Sequence, residues 1–178
     1  MTGVNYITFA VSVMACLIVL YISGKTYAII KGREISRKKK VLYFCLAFYV
    51  CFIFQITINN REAGSRMGVF AELEFGKLTG DILSIQKWIY SCLNIMLFVP
   101  MGAIFTFIKN EVKAGRKIFM VILYCFLISF GIESIQLVTA TGYFELVDIV
   151  TNVFGGFIGS VLADMVMRLR SRLIRKNR

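Results

Sequence analysis

The sequence predicts an all-α integral membrane bundle of about five transmembrane helices, with the N-terminus outside and the C-terminus cytoplasmic. Three observations predict it. Of the 178 residues, 58% are hydrophobic, well above the roughly 45–50% of ordinary soluble domains. Several apolar stretches reach the length of about 18 residues that reads as a spanning helix. The basic residues fall almost wholly in alternate connections between those stretches.

The segments follow in order as one transmembrane domain over 1–178. Segment one runs over about Tyr6–Ser23, with no Lys or Arg before it, so it reads as a retained helix and not a cleaved signal. Segment two covers about Val41–Ile58, and segment three about Trp88–Ile108. Segment four covers about Ile118–Val138, and segment five about Leu146–Met167. Between segments two and three lies a mixed loop, 59–87, in which Val69–Phe75 is weakly amphipathic and reads as an interfacial helix or a re-entrant piece.

Charge sets the orientation. The 25–40 stretch, the 109–117 loop and the tail carry seven, four and six of the 21 basic residues, and the opposite side carries Arg61, Arg66, Lys77 and Lys87. Cytoplasmic loops are enriched in Lys and Arg, so these three basic stretches belong inside. Trp88 and Tyr90 stand where an outer aromatic anchor belongs. The net charge of +11 therefore encodes membrane topology and not nucleic-acid binding. The chain has no histidine, and its five cysteines lie in apolar runs without CxxC spacing. Neither a metal site nor a disulfide framework is expected, and no cofactor is implied.

Polar residues at membrane depth are expensive and call for a reason. Segment three carries Asn94, then Pro100, which removes a backbone donor and can kink the helix, and Gly102. Segment four carries Glu133 and Gln136, three apart and on one face. Segment five carries Asp148 and Asn152, four apart, in line with Gly155 and Gly159 and beside Gly156. The Gly-x-x-x-Gly spacing is a close-packing signature, so that face should press against segments three and four. At 1.5 Å of rise per residue, Asn94, Glu133 and Asn152 each lie roughly 9 Å inside the outer boundary. No basic residue occurs between Lys117 and Arg168. The two carboxylates must find an outer-loop cation, a bound cation or a proton. Asp164 precedes Arg168 by four residues, an ordinary helix-surface ion pair.

The run Asn94-Ile-Met-Leu-Phe98-Val-Pro100-Met-Gly102, then Glu133-Ser-Ile-Gln136, then Asp148-Ile-Val-Thr-Asn152-Val-Phe-Gly155-Gly156-Phe-Ile-Gly159 resembles the VanZ-like family of bacterial membrane proteins over about 91–161. The resemblance implies a multi-pass protein of the cell membrane. It also implies a role in Gram-positive cell-envelope homeostasis or in resistance to teicoplanin-type glycopeptides, as for the family's founding member. By match to the motifs it carries over Asn94, Glu133, Gln136, Asp148 and Asn152 as site residues. An arginine common in the family ahead of the last helix is missing from Thr139-Ala-Thr-Gly-Tyr-Phe-Glu145.

Four functions then stand side by side. The polar cluster engages a lipid-linked cell-wall precursor or a lipophilic glycopeptide among the membrane lipids. Alternatively, Glu133 and Asp148 serve a membrane enzyme acting on such a precursor or on a lipid phosphate. They could also belong to a small proton-coupled transporter, although the cytoplasmic halves of segments three to five read as nearly apolar. A pure assembly role is the fourth. The residues alone leave catalysis and oligomeric state open.

Overall fold

A computed structural model describes residues 35–59 and 67–177, together with the single positions Met14, Ile18, Gly32 and Gly64. Segment one therefore lies outside the described residues. The chain divides into two compact units, Met1–Glu62 and Ala63–Arg178. Among the described residues, four helices are long and apolar enough to cross a membrane.

The first unit contributes helix α1, Arg37–Phe54, which ends in a π-helical turn, Gln55–Asn59. Ser36 is its N-cap, and the hydroxyl oxygen accepts the Lys39 N–H at 3.4 Å. The helix thus opens inside the basic cluster Arg37–Lys40, four residues before the apolar run alone suggests. Thr57 Oγ1 bonds back to the Ile53 carbonyl at 2.9 Å within the π turn.

The second unit holds the other three spans. Helix α2 is Ile82–Ile108, α3 is Ala114–Val138, and α4 is Leu146–Lys176. Helix α2 begins six residues before its expected start because Asp81 caps it, accepting the Ser84 N–H at 3.2 Å. It continues through Pro100 to Ile108 as one helix. At 31 residues, α4 is about 46 Å long. That exceeds the roughly 30 Å of a bilayer core, so its arginine-rich last turns extend beyond the apolar span.

Three glycines set the packing of α2 against α4. A Cβ at Gly155 would overlap the Ile95 carbonyl, one at Gly159 the Val99 carbonyl, and one at Gly102 the Gly156 carbonyl. Ile95–Gly155 and Val99–Gly159 rise together by four, as do Gly102–Gly156 and Thr106–Ser160, so α2 and α4 run parallel with backbones in contact. Thr106 Oγ1 and Ser160 Oγ, 2.8 Å apart, continue this seam. Helix α3 runs antiparallel to both and packs mainly against α4. Its buried stripe is Lys117, Val121, Cys125, Ser129, Ile132, Glu133 and Gln136, the three-and-four spacing of one helix face. Phe98 and Met101 of α2 fill the interior and are fully buried.

The connections meet at the end of the bundle where α3 turns into α4. Here Val69–Phe70 (β1) pairs in parallel with Phe144–Glu145 (β2), in the register Val69 to Phe144 and Phe70 to Glu145. The Phe144 N–H also donates to the Gly68 carbonyl at 2.9 Å. Val69–Phe75 is thus not an interfacial helix, contrary to its sequence pattern. Two residues form a bridge, and 71–77 has no regular structure. The phenylalanines use tertiary partners instead, as in the edge-to-face contact of Phe70 with Tyr143 at 5.0 Å.

Candidate functional site

The turn between α3 and α4 is built by a Schellman-type cap. The Thr141 N–H donates to the Gln136 carbonyl at 3.0 Å, and the Ala140 N–H to the Leu137 carbonyl at 3.2 Å. This motif needs a left-handed residue, and Ala140 supplies it at φ 51°. Beyond the turn, Thr139 and Thr141 share a hydroxyl bond at 2.9 Å.

Glu133 lies directly beneath this turn and is 2% exposed. Its Oε2 accepts the backbone N–H of Glu145, the residue capping α4, at 3.0 Å. The first N–H groups of a helix have no partner within it, and its N-terminus carries partial positive charge. A buried carboxylate therefore faces a helix end here. Asp148 stands in the first turn of α4, where the same dipole favours a negative group. It is only half-buried.

About one turn deeper, Asn152 Nδ2 donates to Ser129 Oγ at 2.8 Å. Both residues are buried. Asn152 Oδ1 is a buried acceptor with no hydrogen-bond donor among the described residues. Gln136 is buried on the α3 stripe one turn from Glu133. Asn94 of α2 is half-buried, one turn above Phe98 on the inward stripe. The structure thus brings α3 and α4 together through Glu133 and through the Ser129–Asn152 pair. Asn94 occupies the same end of the bundle without a hydrogen bond to either pair.

Beside this polar layer, between α2 and α4, is a cleft of about 340 Å³. Trp88, Cys92, Ile95, Val150 and Phe154 form its walls, and Phe75 from the 67–81 strap closes one side. The strap is held by several bonds. Lys87 pairs with Glu74, Ser91 Oγ reaches the Phe75 carbonyl at 3.4 Å, and the Lys77 N–H donates to Ser84 Oγ at 2.9 Å. An open apolar groove of about 420 Å³ lies on the other side of α4, and the two share Val150 and Phe154.

Sequence reasoning missed the polar groups in the far half. That half reads as nearly apolar, yet the Thr106–Ser160 pair is fully buried there. Lys117, counted among loop charges, is 3% exposed and its Nζ lies 2.6 Å from Asp164. Asp164 also makes its i,i+4 pair with Arg168 at 2.7 Å. The signal was available: Lys117 lies a whole number of four-residue steps from Cys125, Ser129 and Glu133. Among the described residues, no cluster of three or more His, Cys, Asp or Glu could hold a metal ion.

Fold and site together define a helical membrane protein with polar pairs buried along one glycine-faced helix. The chain belongs to the VanZ/LLP1 family, whose profile matches residues 40–167 and so extends well beyond the 91–161 region carrying the motifs. No curated relative matches the chain, and no solved structure does.

Proposed function

We propose that this protein is a multi-pass protein of the bacterial cell membrane. Its Glu133 end faces the outer leaflet and engages a lipid-linked envelope component there. Through that contact it contributes to envelope homeostasis or to resistance against teicoplanin-type glycopeptides. The observation that carries this reading is the juxtaposition at one end of the bundle of a buried polar layer (Glu133, Ser129, Asn152) and an apolar cleft walled by Trp88 and Phe154. An amphipathic lipid-linked molecule has both kinds of surface. The charge pattern supports the orientation, because the other end holds the 109–117 loop and the arginine-rich tail.

The test is a drug-susceptibility panel in a sensitive Gram-positive host, comparing deletion, wild-type, Glu133→Gln and Asn152→Ala strains. Wild type should raise the inhibitory concentration of teicoplanin several-fold, and Asn152→Ala should reduce that gain. Equal inhibitory concentrations in all strains, with membrane insertion verified, would overturn the proposal.

A further inference from the structure

The cleft between α2 and α4 has a charged mouth. Trp88 and Phe75 form two of its walls. The residue before each is one half of an ion pair, Lys87 on the helix and Glu74 on the strap. Both side chains remain more than half exposed, at 54% and 63%. Surface ion pairs of this kind contribute little to stability, so the lysine can exchange one anion for another at low cost. The walls below are apolar, and Val150 and Phe154 lie roughly 6–12 Å from the start of α4. That is the depth of the first carbons of a lipid chain below its headgroup.

We infer that this cleft is a lipid site: it takes one hydrocarbon chain of a phospholipid or phosphorylated lipid, with the phosphate at Lys87 in place of Glu74. The inference deepens the reading above, on which it rests for its envelope setting, by naming the ligand class and a residue for its headgroup. Charge complementarity selects the occupant, because a chain alone could reach the cleft from any lipid but only an anionic headgroup competes for Lys87. The strap is the movable wall. Releasing Glu74 loosens Phe75, whose other ties are the long Ser91 bond and the backbone bond of neighbouring Lys77 to Ser84. The bridge of β1 to β2 holds the far end of the strap in place while this happens.

Trp88 is the chain's single tryptophan and reports on its own cleft. The full-length protein is reconstituted in phosphatidylcholine vesicles containing a minor fraction of either phosphatidic acid or phosphatidylcholine with brominated acyl chains, which quench indole fluorescence on contact. The brominated phosphatidic acid should be enriched at Trp88 by about fivefold, which is what one lysine near an anionic surface supplies. Lys87→Gln should abolish the preference. Glu74→Gln, which removes the carboxylate paired with Lys87 and leaves only the more distant Glu145 and Glu72, should increase it. Val150→Phe, which fills the cleft, should reduce quenching by both lipids. Equal quenching by the two lipids in the wild type, or a preference that survives Lys87→Gln, would overturn the inference. The vesicle measurement is independent of the drug panel. Retained lipid preference with unchanged drug susceptibility would leave the lipid site standing and remove the envelope role.

Discussion

Glu133 closes the end of a helix that begins thirteen residues later: its carboxylate accepts the backbone N–H of that helix's N-cap, Glu145, at 3.0 Å. The bond joins α3 to the start of α4 and holds β2, the strand that receives the strap. A buried charge is tolerable when hydrogen bonds and a helix dipole meet it.

Removing the acceptor should cost more than removing the charge. Glu133→Gln keeps an oxygen for the Glu145 N–H and should lose about 0.5–1 kcal/mol of stability. Glu133→Ala leaves that donor without a partner and should lose about 1–3 kcal/mol. Thermal unfolding of both variants in one detergent checks the order, and equal losses would show that the charge alone matters.

At the opposite end, Lys117 and Asp164 are each other's condition for burial. Asp164→Asn strands a buried ammonium and should cost about 3–5 kcal/mol. Lys117→Met should cost less, because Arg168 still serves Asp164. The double variant should be more stable than Asp164→Asn alone, which a double-mutant cycle measures. Additive losses would contradict a coupled pair.

The glycines differ in what stands against them. A Cβ at Gly159 meets the backbone of Val99, whereas one at Gly156 meets the Cys125 side chain. Either alanine substitution should destabilise by about 1–3 kcal/mol through overpacking. Cys125→Ala should partly rescue Gly156→Ala and leave Gly159→Ala unrescued. Melting temperatures of the three single and two double variants decide this.

Ala140 holds a left-handed conformation that glycine adopts without strain. Ala140→Gly should therefore stabilise the turn by up to about 1 kcal/mol, less the entropy that glycine loses on folding. A lower melting temperature would show that the left-handed turn carries no strain to relieve.

How much of this was legible in the sequence follows from which forces are local. Apolar runs locate α1 to α4 because lipid is the solvent for most of each helix. They miss the starts because caps such as Ser36 and Asp81 lie outside the run. The alignment of Asn152, Gly155 and Gly159 is a matter of helical spacing, and those residues are buried together. The bond from the Glu145 N–H to Glu133 was invisible because a search for cations does not count a backbone N–H. A hydroxyl in an apolar run, such as that of Ser129, Thr106 or Ser160, carries no pairing information until a second helix brings its partner. The β1–β2 bridge joins segments more than 70 residues apart, and no local pattern in Val69–Phe75 specifies it.

The most direct measurement concerns which side of the membrane the Glu133 end faces. Single cysteines at exposed Thr139 and Ser171 are placed in a background with the native cysteines removed, and intact cells are treated with a membrane-impermeant maleimide. The expected result is labelling at position 139 in intact cells and at position 171 only after permeabilisation. Labelling at 171 but not 139 in intact cells would turn the site toward the cytoplasm and contradict the proposed encounter with the cell envelope.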